Sequence, residues 1–128
     1  SVARLLKPGG RACVQSIVID DEHFDRYIKG TDFIQQYIFP GGCLPCPREF
    51  KRQAGLAGFK VIDEFAFGMD YAYTLKLWRD KFLAEKQQVL KLGFDERFIR
   101  IWEFYLAYCE AAFAKKNTDV VQFTLQKK

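Results

Sequence analysis

The chain has 128 residues, about half of them hydrophobic, with 13 Phe, 6 Tyr and 2 Trp, and a net charge of +4. That length suits one small domain or part of a larger one, and the aromatic surplus suits a pocket lined by rings as well as a core. The charge is too modest and too scattered to read as nucleic-acid binding, with lysines side by side only at Lys115-Lys116 and Lys127-Lys128. No apolar run approaches the ~20 residues that cross a bilayer. The opening "SVARLLKPGG" lacks the apolar stretch of a signal peptide. Four irregularly spaced cysteines do not make a disulfide framework, so a reduced, cytoplasmic setting is expected.

In chain order, "LLKPGGRACVQSIVID" reads as a helix end, a Pro-Gly-Gly turn and a buried strand over Arg11 to Ile19. Asp20-Asp21 leads into a short helix, "EHFDRYIK". Asp32 is a candidate cap for a second helix carrying "FIQQYIF", which Pro40-Gly41-Gly42 breaks. Pro47 fits the first turn of a helix "REFKRQAGL" that Gly55 or Gly58 closes. "FKVIDEFAF", Phe59 to Phe67, is a strand. Two long helices follow. Tyr71, Leu75, Trp78 and Phe82 share one face of the first, and Phe98, Ile101, Trp102, Tyr105, Cys109 and Ala112 share one face of the second. Asp95 is the expected N-cap of the second. The chain ends in an alternating strand over Asp119 to Gln126, with Val121, Phe123 and Leu125 on one face.

Strand, helices, strand, helical hairpin, strand is an α/β pattern, but three strands are too few for a doubly wound sheet. The first strand calls for parallel neighbours that these residues do not supply. "LKPGGR" is not GxGxxG, and it precedes a strand where a cofactor turn follows one. The pattern therefore predicts the C-terminal part of an α/β domain whose cofactor-binding half lies upstream.

"DFIQQYIFPGGCLPCP", "FGMDYAYTLKLWRDKF", "GFDERFIRIWEFYLAYCEAAF" and "VVQFTLQK" together resemble the cyclopropane-fatty-acyl-phospholipid synthases and mycolic-acid methyltransferases, in order and spacing, over nearly the whole chain. The resemblance implies a Rossmann-like class I methyltransferase that uses S-adenosylmethionine. This chain would carry strands 5, 6 and 7 with an inserted helical hairpin, as the C-terminal portion of one domain, residues 1–128. The N-terminal cofactor-binding half would be absent, leaving no cofactor-binding residue in this stretch and a portion inactive by itself. The implied reaction adds a methylene to the cis double bond of an unsaturated phospholipid acyl chain. It implies a location peripheral to the inner face of the membrane, no nucleic acid, no metal, and a homo-oligomer as an open option.

The same resemblance assigns residues. Tyr71 matches a tyrosine that helps hold bicarbonate, the base of the family, and Ile17 a position whose backbone contacts that anion. Gln15 stands where classical members have His; its amide donates a hydrogen bond but carries no proton or charge. Phe39, Leu44, Leu75, Tyr105 and Cys109 would line the acyl tunnel, and ordinary core packing explains them equally. Gln15 leaves the product open: a ring, a methyl branch, or methylation of a small amine. A non-catalytic lipid- or partner-binding module is the alternative from another class.

Cys43-x-x-Cys46 in "FPGGCLPCP" is read as a structural loop, with Cys46 at a position the family usually fills with Ser. Zinc needs four ligands. The other thiols fall on a strand and an apolar helix face, and the lone His23 is read as a surface residue of a charged helix. A redox motif of this type opens a helix directly after a strand, and this one follows a helix and Gly-Gly.

Overall fold

The computed structural model describes residues 1–128. A short α1 (Val2–Leu5) precedes β1 (Arg11–Ile19), and α2 (Asp21–Lys29) follows it. A π-helical turn over Ile34–Ile38 leads through the Pro40 loop to α3 (Pro47–Leu56) and β2 (Phe59–Ala66). The hairpin is α4 (Gly68–Ala84), a short α5 (Lys86–Lys91) and α6 (Glu96–Ala114), and β3 (Thr118–Lys127) ends the chain.

The sheet order is β1-β3-β2, with β3 antiparallel to both neighbours. The last strand thus fills the gap between two strands that run the same way. Each face of this sheet has its own apolar layer. On one face Val18, Val121, Phe123 and Leu125 pack with Ala54 of α3 and Phe59. On the other, Val120 packs with Ala72 and Leu75 of α4 and Leu106, Cys109 and Phe113 of α6. The alternation expected in β3 is therefore realised on both faces, because a central strand is covered twice.

Local chemistry sets the element ends. Asp20 caps α2, its Oδ1 accepting from the N–H groups of Glu22 (2.7 Å) and His23 (3.2 Å). Asp95 caps α6 through the N–H of Phe98 at 2.8 Å. Asp119 Oδ1 accepts from Gly68 N–H (2.8 Å) and Val120 N–H (2.9 Å), tying the start of α4 to β3. A side chain at Gly68 would collide with that carboxylate, so glycine is required there.

Three expectations need correction. The segment after Asp32 is not an α-helix: Phe39 N–H bonds to Ile34 C=O at 2.8 Å, one residue wider than α-helical spacing. β2 ends at Ala66, because Phe67 N–H turns to Val120 C=O at 2.9 Å and Gly68 opens α4. The hairpin faces are also rotated. Trp78 is half exposed, and α6 buries Ile99, Leu106, Cys109 and Phe113. Only Cys109 belongs both to that buried set and to the predicted stripe; Tyr105 and Ala112 face a cavity instead. Helix α6 is apolar on two adjacent faces, so a single-stripe reading picks the wrong one for the core.

Candidate functional site

A cavity of about 430 Å³ lies among the C-terminal half of β1, α2, the π-helical turn, the Pro40 loop and α6. That volume is in the range of small-molecule sites. Ile17 and Ile19 form its floor, Phe39 and Leu44 one wall, and Tyr105, Cys109 and Phe113 the other.

The loop wall is built by side-chain pinning. Asp32 and Gln35 cap each other: Gln35 N–H donates to Asp32 Oδ1 (2.8 Å) and Asp32 N–H to Gln35 Oε1 (3.0 Å). Gln35 Nε2 then donates to Gly42 C=O at 2.8 Å, and Leu44 N–H donates to the Tyr27 hydroxyl at 2.9 Å. Gly41 takes a φ of +78°, which admits glycine without strain. Cys46 is fully buried, and its Sγ accepts from Glu49 N–H at 3.4 Å as the N-cap of α3. That is the job a serine does, which accounts for the Cys-for-Ser exchange. Cys43, by contrast, is exposed and on the cavity wall. The two thiols of the Cys-x-x-Cys do unrelated work.

Four of the five expected tunnel residues, Phe39, Leu44, Tyr105 and Cys109, line this one cavity, as does Ile17. Leu75 does not. It is 2% exposed in the apolar layer behind Cys109 and Phe113, because its turn of α4 points at α6. Tyr71 also stands behind the wall, edge-on to Phe113 at 4.9 Å and to Trp78 at 5.9 Å. Gln15 lies on the Ile17 side of β1, two residues away, outside the lining and exposed; its Oε1 accepts from Gln122 Nε2 at 3.1 Å. The structure therefore groups Ile17 with the cavity and leaves Tyr71 and Gln15 flanking it.

Burial raises the Tyr105 hydroxyl to about 12 and the Cys109 thiol to about 11, and it raises the Tyr71 hydroxyl too. All three stay protonated at neutral pH, so these groups add no charge to the site and Cys109 is no nucleophile. The consequence for stability follows from the sign. Burial favours the protonated Cys109 in the fold, so its contribution is complete at low pH and declines as pH rises from 9.0 toward about 11. Alkylation at pH 8 is expected to mark the exposed Cys13 and Cys43 first and to spare the buried Cys46 and Cys109 until unfolding, which peptide mass mapping over time would check.

Sequence reasoning missed the polar part of the wall. His23 is not simply on the surface. It lines the cavity, with Nδ1 3.1 Å from Asp20 Oδ1. Tyr27, Asp32 and Tyr108 line it as well. A signal was present, because His23 and Tyr27 are four apart and share a helix face.

The family model described as mycolic acid cyclopropane synthetase matches residues 1–123. The tuberculostearic acid methyltransferase UfaA1 of Mycobacterium tuberculosis is 38% identical over 126 residues, 98% of this chain and 30% of that protein. The cyclopropane-fatty-acyl-phospholipid synthase of Escherichia coli K12 is 37% identical over 90 residues, 70% of this chain and 23% of that protein. The solved mycolic acid cyclopropane synthase CmaA1, complexed with SAH and CTAB, superposes with a TM-score of 0.84 at 32% identity, covering 97% of this chain and 46% of that one. The chain thus spans less than half the length of each. Its strands and hairpin form the C-terminal part of a Rossmann-like class I methyltransferase sheet. No helix is long and apolar enough to cross a membrane. The chain belongs to the mycolic acid cyclopropane synthetase family, whose members are S-adenosylmethionine-dependent methyltransferases.

Proposed function

We propose that this chain is the acyl-binding, C-terminal portion of a lipid C-methyltransferase that acts on the cis double bond of phospholipid acyl chains. The observation that carries this is the cavity: apolar, half-open and large enough for a stretch of alkyl chain, lined by Ile17, Phe39, Leu44, Tyr105 and Cys109. The enzyme would sit on the inner face of the membrane, drawing lipid from it, with a net charge of +4 favouring anionic surfaces.

Methyl addition to a double bond leaves a carbocation, and loss of a proton from the new methyl closes a three-membered ring. The apolar lining offers few groups to hold water, which would otherwise trap the cation. The ring of Tyr105 offers a π-face to positive charge. S-adenosylmethionine, when bound, supplies the methyl group. The glycine-rich turn that holds it is not among these 128 residues, and no residue here is assigned to it. An anion such as bicarbonate fits the donors at the flank of the cavity. Gln15 has its oxygen engaged by Gln122, which leaves its NH₂ to donate outward. Tyr71 brings a hydroxyl with no protein hydrogen bond among the influences on it. Both can hold an anion, and neither takes the proton itself.

One observation favours a second product. Gln15 has no titratable group, and the 38% identical relative is a methyltransferase by name, where the E. coli one is a cyclopropane synthase. Gas chromatography and mass spectrometry of fatty acids from cells expressing the whole gene decides between them. A cyclopropane product establishes ring closure with Gln15, a methyl-branched or methylene product places the change at deprotonation, and an unaltered profile removes the phospholipid acceptor. Gln15→His is expected to raise the ring-to-branch ratio several-fold, with a dependence on pH near the ordinary His value of ~6.5. A ratio that does not move would show that residue 15 does not govern the proton.

A further inference from the structure

We propose that the turn between α5 and α6, Leu92-Gly93-Phe94, is the surface by which this chain docks on an anionic lipid bilayer, and that a row of aromatic rings leads from there to the cavity. The proposal rests on the reading of that cavity as an acyl site.

Leu92 is 77% exposed and Phe94 46%, one on each side of Gly93. Gly93 takes a φ of +99°, which glycine adopts without strain and which turns the chain out of α5. The turn is held from both sides. Leu92 N–H donates to Gln88 C=O (3.2 Å) and Gly93 N–H to Leu90 C=O (3.1 Å). Lys86 of α5 pairs with Glu96 of α6 at 3.0 Å, and Asp95 caps α6. Two large apolar side chains on a fixed turn enter the lipid interface with little loss of order, and these two N–H groups stay bonded there.

Two observations select a bilayer as the occupant. The first is charge. Between Lys86 and Arg100 the acids are Asp95, engaged as a cap, and Glu96, paired with Lys86. Lys91, Arg97 and Arg100 are exposed and take part in none of the six ion pairs of the structure. Arg97 and Arg100 share a face of α6. Apolar side chains flanked by unpaired cations fit hydrocarbon beneath anionic headgroups, whereas the centre of a protein interface is depleted of charge. The second is continuity with the cavity. Phe94 stacks on Phe98 at 4.3 Å, Phe98 meets Trp102 at 5.8 Å, and Trp102 meets Tyr105 at 5.1 Å. Phe98 and Trp102 are part-exposed, and Tyr105 is on the cavity wall. An acyl chain leaving the bilayer at the tip thus has apolar surface along α6 as far as the site.

The test is co-sedimentation of the whole enzyme with vesicles of phosphatidylethanolamine, with and without phosphatidylglycerol, beside product formation from the same unsaturated lipids dispersed in detergent. Leu92→Asp, at a mostly exposed position, is expected to lower vesicle binding and product from vesicles at least tenfold and to leave product from dispersed lipid unchanged. Lys91→Gln with Arg97→Gln is expected to lower binding to the phosphatidylglycerol vesicles about fivefold per cation and to leave binding to the others unchanged. Phe94→Trp reads the contact directly: lipids brominated on the acyl chain are expected to quench it beyond any quenching of the native Trp78 and Trp102. A wild type that makes product from dispersed lipid and binds no vesicle overturns the docking surface and leaves the acyl reading standing. Vesicle binding that survives Leu92→Asp, or Phe94→Trp emission unmoved by brominated lipid, overturns it too, by placing the contact elsewhere. A Leu92→Asp variant that binds vesicles normally and sediments as a smaller species gives the tip to a second copy of the chain instead. No product from dispersed lipid removes the acyl reading, and with it the role of the tip in supplying substrate.

Discussion

Tyr71→Phe, made in the whole enzyme, is expected to lower product formation by about 10²-fold or more, with unfolding free energy held within about 0.5 kcal/mol. The two halves of this expectation have different origins. The ring is part of the fold, edge-on to Phe113 at 4.9 Å and to Trp78 at 5.9 Å, and phenylalanine keeps both contacts. The hydroxyl is not. Its pKa is raised by burial and by Cys109, with no hydrogen bond among the causes. A part-exposed hydroxyl without a protein partner does little for stability, and its value lies in holding something the protein does not supply. Product yield from cells, set beside urea unfolding of the same variant, separates the roles. A variant that is fully stable and fully active would make Tyr71 a packing residue. A variant whose yield falls only in proportion to folded protein would say the same.

The contrast between Tyr71 and Leu75 shows what the sequence carried. One face of α4 holds both at i and i+4, so periodicity cannot distinguish them. Leu75 goes to the interior at 2% exposure while Tyr71 stays part-exposed, a difference set by where α6 crosses. The strands and both long helices were legible, because alternation and capping residues are local signals: Asp95 caps α6 as the sequence predicts. The π-helical turn was not, because an Asp cap followed by "FIQQYIF" has ordinary helical periodicity. The widened ladder comes with Gln35 reaching Gly42 and Tyr27 holding Leu44, contacts made across the loop. The same tertiary pinning hid the polar wall. Asp32 reads as a cap from sequence, and it is one, but only the packing of α2 and α6 turns that cap toward the cavity. The order β1-β3-β2 was equally silent, since a strand at the end of the chain carries no local mark of inserting between two others.

Phe123→Ala is expected to cost about 3–5 kcal/mol, the largest effect on stability of any single truncation in this chain. Phe123 is completely buried, and its ring stacks on Phe50 of α3 with centroids 4.0 Å apart. The cavity left behind would be walled by β3 itself and by α3, neither of which can collapse without losing its own pairing. Against a total stability of about 5–15 kcal/mol, that is a third or more of what a domain has. Position in the sheet makes the loss global. β3 pairs with both neighbours, Phe123 opposing Val14 on one side and Glu64 on the other. Through Asp119 the same strand also anchors Gly68, the first residue of the helix that carries Tyr71. Loosening β3 would therefore disturb Ile17 and Tyr71 together, from opposite sides of the site. Phe39→Ala is the control. At 55% exposure on the cavity wall it is expected to change stability by no more than about 0.5 kcal/mol while weakening binding of an alkyl ligand. Urea midpoints with unchanged slopes would measure both. A cost below about 1 kcal/mol for Phe123→Ala would mean that the α3 layer adapts to the hole. The coupling between the two sides of the site would then have to run through the α4–α6 layer instead.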